Sequence, residues 1–158
     1  MADRDTVEQL FSTYAWAMDA RSFDLFDEVF TTDASFVVSI AGGDTYGPFE
    51  GRAAVADFIG STTQEQTDQR RHVIVNVRTE GADKATALLS LHVVDNGVLT
   101  VKSCGVYTVE LGEEDGATKF SSMDLALDLG FDSHSHFTDV FRRCAGRTPS
   151  EFRSAIGQ

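Results

Sequence analysis

The chain has 158 residues, 42% of them hydrophobic with twelve phenylalanines, and a formal net charge of -12. A domain of this size buries roughly 68–70% of the surface its unfolded chain exposes, which predicts a real core and argues against disorder. So acidic a chain is a poor general partner for nucleic acid, because non-specific affinity depends on Lys and Arg meeting phosphates. The opening "MADRDTVEQL" is charged and lacks the apolar segment of a signal peptide. No apolar run nears the ~20 residues of a membrane span, so no membrane partner is expected. Cys104 and Cys144 make neither a disulfide framework nor a metal set. A reducing, cytoplasmic setting is the expectation.

Asp5 followed by Glu8 reads as a capping box, and Val7, Leu10, Phe11, Tyr14 and Met18 then recur at helical spacing. A first helix is predicted from about Thr6 to Asp19. Phe23, Leu25, Phe26, Val29 and Phe30 suggest a short second helix. "ASFVVSI" and the stretch around Tyr46 read as strands around the turn "AGGD", and "GRAAVADFIG" as a third helix. The period then switches to two. "HVIVNVR" puts His72, Ile74, Asn76 and Arg78 on one face and Val73, Val75 and Val77 on the other. "ATALLSLHVV", "LTVKSCGVYTVEL" and "TKFSSMDLALDL" follow as strands, separated by "EGADK", "DNG" and "GEEDGA". Helices followed by a run of antiparallel strands predict an α+β fold with helices on one face of the sheet. The expected division is a domain over residues 1–129 and a helical extension over 130–158.

This order of elements resembles the nuclear-transport-factor-2-like α+β barrel, a cone of curved antiparallel sheet closed by N-terminal helices. It is most similar to the SnoaL-like group, alongside scytalone dehydratase and hexachlorocyclohexane dehydrochlorinase. The resemblance rests on "YAWAMDARSFDLFDEVFTTDASF", "YGPFEGRAAVADFI", "RRHVIVNVRTEGADKATA" and "GVYTVELGEEDGATKF", which span most of residues 6 to 128. A fold shared by enzymes, binders and adaptors does not fix a function.

The sharper implication of the resemblance is a pair, Asp19 near the end of the first helix and His72 on the sheet. In the related enzymes an Asp at the first position orients a His at the second, and that His removes a proton from carbon. Imidazole titrates near neutrality, and a carboxylate on one ring nitrogen fixes the tautomer and stabilises the imidazolium formed at the other. Dehydration, isomerisation and polyketide-type cyclisation all begin with this step. By residue type alone, a helix-terminal Asp is more often a solvated surface group and a lone sheet His more often structural.

The resemblance further implies a pocket wall of Phe36, Val38, Leu91, Val93, Ser103 and Leu127, facing a small hydrophobic molecule. Tyr14, Asn76 or Ser103 is expected to stabilise a developing oxyanion. His92 is expected to point outward. No cofactor is implied, and no metal set is read, since His134 and His136 would lie about 200° apart on a helix. Met18 stands where scytalone dehydratase has a tyrosine, and Tyr14 where the dehydrochlorinase has a lysine, so neither enzyme's own substrate is expected. The family also implies a homo-oligomer, dimer or trimer. A non-catalytic ligand-binding or assembly module is the rival reading.

The segment 129–153, with "LGFDSHSHFTDVFRR" and "GRTPSEFR", is similar to the last helix-turn-helix of AraC-type regulators. From Leu129 on, four Arg stand against Asp132, Asp139 and Glu151, a net of +1, which leaves -13 on the body. A DNA reader needs a bracing helix before the recognition helix. Met123, Leu125, Leu127 and Leu129 alternate with period two and predict a strand there instead. Nucleic acid is therefore not the expected partner.

Overall fold

The computed structural model describes residues 3–64 and 66–130. The predicted extension over 130–158, with its AraC-like helices, lies outside the described residues apart from Gly130. Helix α1 (Arg4–Ala20) is followed by a single 3-10 turn (Phe23–Leu25) and helix α2 (Phe26–Val29). Strands β1 (Phe30–Ile40) and β2 (Thr45–Glu50), helix α3 (Arg52–Thr63) and strands β3 (Gln69–Glu80), β4 (Lys84–Asp95), β5 (Val98–Glu114) and β6 (Ala117–Gly130) complete the order.

The N-cap of α1 is Asp3, whose Oδ1 accepts the Thr6 N–H at 2.7 Å. The helix thus starts earlier than the expected Asp5–Glu8 box, and Glu8 instead pairs with Arg4 at 2.6 Å. Val7, Leu10, Phe11, Tyr14 and Ala17 form its buried stripe, spaced as an amphipathic helix requires. Phe30 belongs to β1, so the second helix ends one residue sooner than its apolar spacing suggests.

All six strands form one sheet in the order β2-β1-β6-β5-β4-β3. Two expectations are corrected here. The sheet is mixed, because β1 and β6 run parallel, and it remains open, with edges at β2 and β3. The parallel pair arises because β1 leaves the helices beside β6 and only β2 folds back against it. A register shift between Cys104 and Gly105 bends β5 against β6, and a Cβ on Gly105 would meet the Ala126 carbonyl at 2.6 Å. Only glycine permits that approach. The core lies between the concave face and the helices, built on Phe11, Tyr14, Phe26, Phe30, Tyr107 and Phe120.

One ionic network ties the far end of the cone together. Glu114 accepts from the Thr32 N–H at 2.7 Å, Lys119 Nζ at 2.8 Å and Arg52 Nη1 at 3.2 Å. Arg52 also reaches Asp27 and the Phe30 carbonyl. The Lys119 bond first, then the Thr32 N–H, hold the Glu114 carboxyl at about 2, against an ordinary 4.5. A carboxylate depressed on folding stabilises the protein above its unfolded pKa, and that stability is lost as pH falls through the folded value. Urea melts of Glu114→Gln are therefore expected to be weaker than wild type at pH 7. Between pH 4.5 and about 2 their pH dependence should be flatter.

Candidate active site

Asp19 sits in the last turn of α1. The helix stops there because Arg21 takes a left-handed φ of 55°, with Arg21 N–H bonding Met18 O and Ser22 N–H bonding Ala17 O. That is the helix-ending pattern usually given to glycine. Arg21 is held in it while its Nη2 donates to the Gln66 carbonyl at 2.7 Å. Backbone strain two residues from a candidate catalytic group is a recurrent feature of functional sites.

His72 lies on β3, the sheet edge against which α1 packs. An edge strand presents N–H groups with no ladder partner, and Asp19 takes one of them. Its Oδ1 and Oδ2 each accept the His72 backbone N–H at 3.1 Å, and Oδ1 also meets the ring Nδ1 at 2.7 Å. Backbone and ring are thus fixed by one carboxylate. Because an ionised carboxylate can only accept, Nδ1 carries the ring proton and Nε2 of the neutral imidazole is left as a lone-pair acceptor. Among the described residues no protein group bonds Nε2. The two side chains are 11% and 15% exposed, which shelters their interaction from solvent screening.

The pair opens on a cavity of about 720 Å³, within the range of small-molecule sites. Phe36, Val38, Phe58, Leu125 and Leu127 supply apolar wall, and Tyr14 and Tyr107 also line it. Tyr14 is fully buried, which pushes its phenol up to about 12, with the Tyr107 hydroxyl offsetting part of the shift. Thr62, Gln66, Asp68, Gln69 and Arg70 add polar lining. Arg70 forks onto Asp68 at 2.7 and 3.1 Å and holds that carboxyl below the usual range. Trp16, the single tryptophan, also lines the cavity and is 70% exposed.

Six of the residues singled out from sequence therefore share this cavity: Tyr14, Asp19, Phe36, Val38, His72 and Leu127. Four do not. Leu91, Val93 and Ser103 are buried on the sheet but are not part of the cavity lining. Asn76 is misplaced by strict alternation. It adopts φ 56° where the β3–β4 register shifts between Val75 and Arg78, so Val77 turns into the core and Asn76 is exposed on a separate groove. Asn tolerates that left-handed conformation, which makes it the natural residue for the bulge. His92 bonds Ser90 Oγ at 3.1 Å on the face opposite Leu91 and Val93, and does not line the cavity. Tyr107 was missed. Its signal was the alternation of Ser103, Gly105, Tyr107 and Val109, all buried on one face of β5.

No cluster of three or more His, Cys, Asp or Glu able to hold a metal occurs among the described residues. No described helix is long and apolar enough to cross a membrane.

Among the described residues, three helices pack on a curved mixed sheet with a cavity between them, a cone-shaped α+β fold shared with solved NTF2-like proteins. Within it, the chain belongs to the SnoaL-like domain family, whose profile matches residues 1–124. ActVI-ORFA from Streptomyces coelicolor is similar in structure, with a TM-score of 0.66 and 18% identity over 78% of this chain and 93% of that one. A Catenulispora acidiphila protein in complex with S-DNPA has a TM-score of 0.64 and 22% identity, over 78% and 91% of the two chains. An NTF2-like protein with a cystatin-like fold from Novosphingobium aromaticivorans has a TM-score of 0.61 and 20% identity, over 85% and 86%. At these identities the likeness is one of fold. No curated protein matches the chain.

Proposed function

We propose that the protein is a lyase or isomerase, dehydratase-like and needing no cofactor, that removes a carbon-bound proton from a small hydrophobic substrate. The observation that carries this reading is the 2.7 Å contact of Asp19 with His72 Nδ1, which leaves Nε2 as the free base of a histidine that lines a cavity with an apolar wall. Nε2 takes the proton, the C–H electron pair moves into the substrate's π system, and Asp19 stabilises the imidazolium. In a dehydration His72 then returns its proton to the departing hydroxyl, which leaves as water. In an isomerisation it returns the proton to a different carbon. In a cyclisation the carbanion attacks a second carbonyl and the proton goes to the new alkoxide. The complex of the Catenulispora acidiphila protein with S-DNPA supports reading the cavity as a ligand site.

The test is hydrogen exchange. Small ketones and β-hydroxy ketones are incubated with the protein in deuterium oxide, and label at carbon is followed by NMR. Site-specific incorporation above the buffer rate is expected, and it should vanish in His72→Ala. Compounds that bind in the cavity yet neither exchange nor turn over would point to a binding module instead.

Self-association is a second part of the proposal. Val75 and Leu88 pair across β3 and β4 and, with Val101, are 45%, 44% and 47% exposed on the outer sheet face. Sedimentation equilibrium should show a dimer or trimer, and a monomer at tens of micromolar would end that part.

A further inference from the structure

Tyr107 is completely buried, with its side chain at the cavity among Ala87 and Leu125 on the flanking strands. Its ring stands edge-on to Tyr14, with centroids 5.7 Å apart and planes at 81°, and tilts against Phe11 at 5.8 Å. Among the described residues its hydroxyl is the single buried side-chain N or O atom without a hydrogen-bond partner. The Tyr14 hydroxyl is near enough to act on its ionisation both by charge and as a hydrogen-bonding group, yet the distance and angles between the two are not those of a formed bond.

An unpaired buried hydroxyl is costly, and native proteins leave few. Phenylalanine would fill the same space at no such cost. Burial, then Tyr14, then the Asp19 carboxylate push the Tyr107 phenol well above its ordinary 10, so at neutral pH it is a donor. A buried donor on a residue that lines a cavity, lacking a protein acceptor, suits an acceptor that arrives with the ligand. The acceptor that gains most is an oxygen whose negative charge grows during reaction.

We infer that Tyr107 donates its hydrogen bond to the carbonyl oxygen of the substrate. The substrate class is then a compound with an acidic C–H next to a carbonyl, its oxygen on Tyr107 and its C–H facing His72. This deepens the proposed function and rests on His72 being the base. As Nε2 takes the proton, the C–H electron pair forms the enolate and the charge settles on oxygen. Tyr107 keeps its own proton and shortens its hydrogen bond to that oxygen. The imidazolium and the enolate form together, so the cavity gains no net charge.

Tyr107→Phe tests this, because it deletes one oxygen and little volume. The probe is 4-nitrophenolate at pH 8, an anionic oxygen on an sp² carbon, followed by quenching of Trp16. Saturable binding to wild type is expected, weakened about tenfold or more in Tyr107→Phe. Exchange or turnover should fall about 10²–10³-fold through kcat, with KM little changed. The thermal midpoint should be equal to wild type or higher, since no protein hydrogen bond is lost. A lowered midpoint with unchanged nitrophenolate affinity would mean a structural phenol bonded to Tyr14 and would overturn the inference. So would the absence of nitrophenolate binding to wild type at millimolar concentration. The base is tested separately: His72→Ala should lose exchange but keep nitrophenolate binding. If His72→Ala still exchanges while Tyr107→Phe loses the probe, the base reading fails and the Tyr107 donor stands.

Discussion

His72→Ala is expected to lower turnover by about 10²–10⁴-fold without unfolding the protein, the range a positioned general base contributes. The side chain is at the sheet edge, and alanine keeps the backbone N–H that Asp19 accepts. Circular dichroism and the melting curve should therefore stay near wild type while exchange at carbon disappears. Asp19→Asn is the sharper companion. The carboxylate takes the backbone N–H on both oxygens and the ring proton on one, whereas an amide has a single acceptor oxygen. If its NH₂ group faces Nδ1, that nitrogen must give up its proton and the ring takes the other tautomer; if it faces the His72 N–H, the amide oxygen keeps the ring bond but without the carboxylate charge. Nitrogen-15 shifts of the ring report this directly: Nδ1–H in wild type, a mixture or the other tautomer in the variant. Unchanged turnover in His72→Ala would sink the proposed chemistry. Ring shifts in Asp19→Asn identical to wild type at every pH would show that the Asp19 carboxylate does not act on the ring.

The two halves of that pair were legible to different degrees. Helix α1 announces itself by periodicity, so Asp19 could be placed near its end from sequence. That its carboxylate reaches a residue 53 positions later could not, because local patterns carry no information on which strand becomes the edge. Family resemblance supplied the pairing. Alternation likewise put Met123 and Leu125 on one face of a strand, and the structure makes that stretch β6 rather than a bracing helix, with both residues buried. Period-two reading fails where a residue is inserted. Asn76 shares a face with His72 only in an unbulged strand, and nothing in "VNVR" marks the bulge except the tolerance of Asn for positive φ. The parallel β1–β6 pair was invisible for a related reason. A strand's own pattern does not say which neighbour it takes or in which direction. Tyr107 was within reach of simple alternation. What the sequence could not reveal is that its hydroxyl lacks a partner, since that depends on every group packed around it.

The aromatic cluster beneath the cavity gives the second large effect. Phe30→Ala should destabilise the protein by about 3–5 kcal/mol, the usual cost of truncating a buried phenylalanine. Phe30 is fully buried where α2 gives way to β1. It meets Phe26 at 5.3 Å and 86°, Tyr14 at 6.0 Å and 89°, and Phe120 at 6.2 Å. Edge-to-face contacts of this kind add to the loss of buried area. Against a total stability of about 5–15 kcal/mol this is a large fraction, and it is smaller the further the surrounding rings relax into the space. Trp16→Ala is the matching control. At 70% exposure it should shift stability by no more than about 0.5 kcal/mol. Urea midpoints of the two variants, read by circular dichroism, separate them. A Phe30→Ala midpoint close to wild type would mean that the cluster closes over the missing ring. Tyr14, which stands edge-on to it, would then have shifted. The nitrophenolate binding inferred beside Tyr107 should report that shift by weakening in a protein that is still folded.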